Sequence, residues 1–294
     1  MNNVNDIVDA MLQSPLGCAF RRQATASKLS PAEIAIPRNS RYLSAYASGD
    51  VGVWNPYYQQ IRKKILQIGP QYRDLATAIL EQPASAEWFK PLDPKKQVYL
   101  PRNNQEPTPT NFKTPRSELT DWERYAEKFE GLMFTHAYVD GDSSIYVAID
   151  EKVGDPITGQ KAPYQSWLLK AEKNIRILEI ENADGWHMLC ARYPTAGSAT
   201  HDSPDFSMDS GRIVPDWYAV AQDWDAVHIS FGAMLMTDQV RVESKAGWTF
   251  NWAWQIEQTL WLRWAFTSID PLPSRMPQRR PEHLSFPGPI ERTQ

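Results

Sequence analysis

Apolar residues recur along the first ninety positions at intervals of three and four. Val4, Ile7, Val8 and Met11 make one stripe, which stops at Ser14-Pro15. Tyr58, Ile61 and Ile65 make another behind Asn55-Pro56, with Lys63 and Lys64 off the stripe. Tyr72, Leu75, Ala76 and Ile79 make a third between Pro70 and Pro83. Such spacing places side chains on one side of a helix. Ser30-Pro31 opens a further short helix, with the serine as N-cap and the proline at the first helical position, where its missing N–H is not needed. Residues 1–90 therefore read as a helical region, and no repeat period suggests a solenoid.

The period then disappears and later changes. Six prolines run from Pro91 to Pro115, and residues 91–116 read as an extended crossing segment with one strand at Gln97–Leu100. Thr120-Asp121-Trp122-Glu123 has capping-box spacing ahead of a helix that buries Trp122, Tyr125, Ala126 and Phe129. After Gly131 the alternation is two-fold. Leu132–Val139 and Ser143–Asp150 flank Asp140-Gly141-Asp142, a hairpin signal. Asn174–Glu181 and Trp186–Tyr193 repeat the pattern around Asn182-Ala183-Asp184-Gly185. Ala226–Phe231, Gln239–Glu243 and Trp248–Trp252 supply further strands, the last two joined by a turn at Ser244–Gly247.

Beyond Trp252 helical spacing returns. Ala253, Ile256, Leu260, Trp261 and Trp264 predict a Trp-rich C-terminal helix that ends at Asp270-Pro271. The expected fold is α+β: a helical N-terminal region packed against an antiparallel β-sheet, which the Trp-rich helix covers. The expected divisions are 1–90, 91–116, a sheet region at 117–270 and a Pro/Arg-rich tail at 271–294, together forming one integrated unit.

Composition narrows the picture. A chain of 294 residues with 42% hydrophobic and 22% charged residues can bury a sizeable core. A formal net charge of −4 disfavours a broad polyanion-binding surface, so nucleic acid is not an expected partner. No apolar run is long enough to span a bilayer, and the first residues lack the basic-then-apolar order of a secretory signal. Cys18 and Cys190 are far apart and read as buried thiols, so the cytoplasm is the expected location.

Several chemistries lack their signatures. The five histidines are scattered, there is no His-Glu-x-x-His or cysteine cluster, and no metal site is expected. Gly154–Lys161 only approximates a phosphate-binding loop. One extra residue precedes Lys161, and Ala162 stands where a hydroxyl would reach magnesium, so no nucleotide cofactor is expected. General acid–base chemistry leaves no fixed spacing. Its candidates are His136 and His228, each in an expected strand, and Glu257, on the apolar side of the expected Trp helix.

Glu257 carries two readings, as a proton donor tuned by an apolar setting or as the structural ion-pair partner of an arginine such as Arg241. The tryptophans also carry two, as a large core or as the wall of a pocket for a flat ligand. The preferred expectation is a metal-independent enzyme acting on a small aromatic or apolar molecule. Its pocket would be lined by Trp252, Trp254, Trp261 and Tyr146, with Arg241 for an anionic group and Gly197–Val214 as a lid. The alternative is a protein-interaction module using the proline-rich crossing and the tail, with a protein partner or self-association. The two readings differ in whether His136, His228 and Glu257 converge on a water-accessible cavity or are dispersed or sealed in.

Overall fold

In a computed structural model of the chain, the structure describes residues 3–51, 58–99, 133–138, 165–196, 211–251 and 257–274. The helical reading of the first ninety residues holds for those of them that are described. α1 (Val4–Gln13) buries Val8 and Met11, and Ser14 then caps α2 (Pro15–Ser27) by accepting from the Gly17 N–H. α2 is the most enclosed helix of this layer, with Leu16, Cys18, Phe20, Arg21 and Ala24 all buried. α3 (Pro31–Ala35) begins with a complete capping box between Ser30 and Glu33. α4 (Pro37–Val51), α5 (Tyr58–Ile68), α6 (Arg73–Leu80) and two 3-10 turns (Gly69–Tyr72 and Pro83–Phe89) complete the layer.

The strands are β1 (Gln97–Tyr99), β2 (Met133–Ala137), β3 (Trp167–Ala171), β4 (Ile177–Ile180), β5 (Pro194–Ala196), β6 (Ile213–Pro215), β7 (Ala226–Ile229), β8 (Arg241–Ser244), β9 (Gly247–Phe250), β10 (Gln258–Trp261) and β11 (Phe266–Pro271). Seven form the main sheet, in the order β11-β3-β1-β2-β10-β7-β4. Its neighbours run antiparallel except β4 and β7, which are parallel. The fold is thus α+β with a mixed, mostly antiparallel sheet, where a purely antiparallel one was expected. A parallel pair needs a long crossover. Between β4 and β7 the chain supplies α7 (Ala183–Arg192), the β5–β6 pair and α8 (Trp217–Asp223).

Two sequence expectations are overturned here. The segment Trp186–Tyr193 is helix α7, not a strand. Asn182 does not turn a hairpin but caps the helix, its Oδ1 accepting from the Gly185 N–H at 2.9 Å. Trp186, Leu189 and Cys190 then fall on the buried side, while Met188 is exposed.

The expected Trp-rich C-terminal helix is absent among the described residues. Residues 258–261 are strand β10, paired on both sides, with β2 and with β7. Leu260 and Trp261 are both fully buried although they face opposite sides of the sheet. A central strand buried on both faces reads as a continuous apolar run, and a short run of that kind matches helical spacing equally well. The proposed helix Thr120–Phe129, the hairpin turn at residues 139–150, the crossing beyond Tyr99 and the tail beyond Ser274 lie outside the described residues.

Register divides the sheet's side chains between two cores, because residues directly opposite one another share a face. On one face Val98, Phe134, Leu260, Val227, Ile229 and Ile180 pack with the helical layer. Phe20 of α2, Trp88 and Phe231 meet edge to face there, at centroid distances of 5.7, 6.0 and 5.1 Å. Phe231 opens α9 (Phe231–Thr237), a helix with all seven residues buried. On the other face Leu169, Ala226 and Trp261 pack with Leu92, Ala265 and Phe266.

The closest backbone approach in the helical layer is at Gly17. A Cβ there would sit 2.3 Å from the Met11 carbonyl oxygen and 2.6 Å from that of Leu235. Gly17→Ala is expected to destabilise the chain by about 2 kcal/mol through overpacking. Gly49→Ala, at an exposed position of α4 where a Cβ meets nothing within 4 Å, should stabilise it by up to about 1 kcal/mol. Denaturant titration of the two variants beside the parent checks both signs.

Candidate functional site

Glu257 immediately precedes β10, and its carboxylate is the meeting point of four elements. Both its oxygens accept from the Ala137 N–H at the end of β2, at 3.0 and 2.9 Å. Nη2 of Arg41, reaching across from α4, lies 3.2 Å from Oε2, and Nη1 of the same guanidinium donates to the Ala137 carbonyl at 3.3 Å. His228 of β7 brings Nε2 to 3.2 Å from Oε1. The other ring nitrogen, Nδ1, lies 2.5 Å from Oε2 of Glu179 on β4. Glu179 in turn accepts from the Leu92 N–H at 2.9 Å.

His136 joins through the backbone, its Nδ1 lying 2.7 Å from the Glu257 carbonyl oxygen. A carbonyl can only accept, so this ring carries its hydrogen on Nδ1. The sequence-derived trio of His136, His228 and Glu257 is therefore brought together. The two histidines nevertheless lie on opposite faces of the sheet. His228 stands opposite Glu179 on one side and Thr259 on the other, in a row that continues to Thr135. His136 opposes Val98 and falls level with Gln258, in the row of Ile229 and Ile180.

Charge is distributed by burial and hydrogen bonding together. Burial works against a charged His228, but its bonds to Glu179 and Glu257 outweigh that and raise it to about 9. Burial likewise pushes the Glu257 carboxyl up, yet the His228 hydrogen bond and the Arg41 charge reverse this and hold it at about 2. The result is an imidazolium donating from both nitrogens to two carboxylates. His136 is driven the other way, its protonation disfavoured by complete burial. The trio is sealed, since His136 and His228 are each 2% exposed and Glu257 is 5% exposed. Glu179, with a side chain 30% exposed, is where the network approaches water.

The remaining sequence candidates stand elsewhere. Arg241 is not the partner of Glu257; Arg41 is. Arg241 lies on the exposed hairpin strand β8, paired with Glu243 and stacked over the Trp248 ring at 4.3 Å. Trp261 is fully buried, its indole N–H donated to Thr135 Oγ1 at 2.7 Å and its ring 4.5 Å from Phe266. Trp252, Trp254, Tyr146 and residues 197–210 of the suggested lid lie outside the described residues.

Sequence reasoning missed Glu179 and Arg41. Glu179 was legible only as a strand residue, and its pairing with His228 depends on the parallel β4–β7 register. Arg41 sits on a helix that no stripe in the sequence announced. Among the described residues no group of three or more His, Cys, Asp or Glu is placed to hold a metal ion. Nor is any described helix long and apolar enough to cross a membrane. The chain matches no protein-family model, no curated protein and no solved structure at a significant level.

Removing Arg41 leaves the buried carboxylate without its permanent cation. Arg41→Met is expected to cost about 3 kcal/mol in equilibrium unfolding near neutral pH. For His228, whose folded value lies above its ordinary 6.5, the stabilisation is complete below pH 6.5 and is lost as pH rises through about 9. The stability gap between the parent and His228→Gln should therefore shrink from pH 6.5 to pH 9. A gap that stays constant over that window would show that His228 is not charged in the fold.

Proposed function

We propose that the chain is a metal-independent enzyme that uses acid–base chemistry on a small aromatic or apolar molecule, with His228 as its proton-carrying group. What supports this reading is one observation. Three residues far apart in sequence meet around the Glu257 carboxylate, and His228 bridges it to the half-exposed Glu179. A histidine held between two carboxylates has a proton to give and a partner on either side to stabilise the charge. In this reading Glu179 is the solvent-side member and the route by which protons are exchanged. Glu257 and Arg41 fix the ring from behind. His136, uncharged and bound to a backbone carbonyl, positions Glu257 and takes no proton.

Substrate would approach from the Glu179 side, because the other members have almost no contact with water. Binding would have to loosen the His228–Glu179 bond before the ring could donate.

A second reading, a protein-interaction module, draws on the burial of the same trio. A sealed ion-pair network that ties a helix to a sheet serves architecture, and partner contact would then fall to exposed apolar side chains. Met188 on α7 and Tyr218 on α8 are 69% and 44% exposed. The proline-rich crossing beyond Tyr99 and the Pro/Arg tail beyond Ser274 belong to this reading as sequence features.

A thermal-shift screen against small metabolites, with tryptophan fluorescence followed in parallel, separates the two. The enzyme reading expects an aromatic or apolar compound to raise the midpoint, since it binds only the folded state. Turnover of that compound should then fall by about 10²–10⁴-fold in Glu179→Gln and His228→Gln, with both variants folded. It should also decline as pH rises through about 9, where His228 gives up its proton. Binding without turnover, or turnover untouched by either substitution, would overturn the acid–base assignment.

A further inference from the structure

α7 packs over the hairpin of β8 and β9. The imidazole of His187 on α7 lies with Nδ1 2.9 Å from Thr249 Oγ1 on β9. Asn251 follows β9 in extended pairing with Asp238, two residues beyond Thr249 and therefore on the same face. Three polar atoms at this place are closed off from water and have no hydrogen-bond partner: His187 Nε2, Asn251 Nδ2 and Asn251 Oδ1. Asn251 is 1% exposed and His187 8%. Turning the Asn251 amide over changes nothing, because neither of its atoms is paired. The Asn251 backbone is by contrast engaged, its carbonyl accepting from the Gln239 N–H at 2.7 Å.

Buried polar groups in native proteins are nearly always hydrogen-bonded, and an unpaired donor and acceptor side by side define what would satisfy them. A carboxamide is matched by a group that offers an acceptor and a donor on neighbouring atoms, as a primary amide, lactam or imide does. Burial of both side chains, His187 and Asn251, disfavours an unpaired charge on a ligand here. Thr249 is 1% exposed, and burial raises the carboxyl of Asp238, the backbone partner of Asn251, to about 8 against the pull of Arg62. We infer that the unpaired polar atoms of Asn251 and His187 form a binding site for a small uncharged ligand with an amide-type edge. Asn251 pairs with both atoms of that edge and His187 Nε2 with a third polar atom. The site shares no residue with the Glu257 network, so it stands or falls independently of the acid–base reading.

Acetamide and N,N-dimethylacetamide are the probes, since the second keeps the acceptor and lacks the N–H donor. With the full chain, saturation-transfer NMR and thermal midpoints are expected to show saturable binding of acetamide and none of the dimethyl compound. In Asn251→Leu, shown by circular dichroism to be folded, acetamide binding should be lost. In His187→Gln, the milder change and the fallback if the leucine variant does not fold, a lactam probe with a further acceptor should bind about tenfold more weakly, a difference of about 1.4 kcal/mol. Equal response to both probes, no response to either by the parent chain, or acetamide binding that survives Asn251→Leu would each overturn the assignment.

Discussion

The Glu257 carboxylate is a full negative charge held in the interior, and such a charge is tolerated only where its hydrogen-bonding capacity is met. Here the partners come from separate parts of the chain: a backbone N–H from β2, a guanidinium from α4 and an imidazolium from β7. Each partner is itself constrained by the same requirement. Arg41 crosses from the helical layer to the strand ends, so the network fixes that layer's position on the sheet as well as the carboxylate. His228 carries the linkage on to Glu179 and so to the parallel edge strand β4.

Around this network the sheet is buried on both faces, and that arrangement explains the sequence character of its central strands. β7 is buried at all four positions. β10 presents Leu260 to the helical core and Trp261 to the smaller core. The two histidines reflect the same geometry. Each is buried in a strand, but strand parity sends them to opposite faces, and only the position of Glu257 at the strand end lets both reach it. His228 uses the carboxylate and is charged, whereas His136 uses the carbonyl and is uncharged. One residue thus holds two histidines in different protonation states by offering each a different acceptor.

A second polar grouping, His187 with Thr249 and Asn251, arises from different causes. It lies where α7 crosses a hairpin that belongs to a separate two-stranded sheet. The main chain at Asn251 is already committed to Gln239, so its side chain faces inward with no neighbour that answers it. The Glu257 network is self-satisfied and rigid in its logic. The Asn251 grouping is unsatisfied, which is why the two support different functional inferences.

Local signals were legible in the residues themselves. Ser30-Pro31 announced an N-cap and helix start, Val8 with Met11 a buried helix face, and Gln97–Leu100 a strand inside a proline-rich stretch, seen at Gln97–Tyr99. The cap and the helix face depend on neighbours within four positions, where local backbone geometry decides, whereas the strand is completed by its pairing with β2 and β3. His136, His228 and Glu257 were legible as polar residues within apolar runs, although not as partners of one another. The errors share one physical cause. Trp186–Tyr193 and Ile256–Trp264 are short apolar runs in which two-fold and 3.6-fold spacing overlap, and only long-range pairing decides between them. For β10 the decision came from β2 and β7, each more than twenty residues away in the chain. Arg41 rather than Arg241 meets Glu257 because the helical layer docks across the strand ends, a contact spanning 216 positions. Sequence by itself determined the caps, the helix faces and the identity of the buried polar residues, because these follow from local backbone preference and hydrophobicity. Tertiary structure alone decided strand against helix in the doubly buried runs, the parallel edge and the pairing of charges, because each depends on partners that the chain brings together only when it folds.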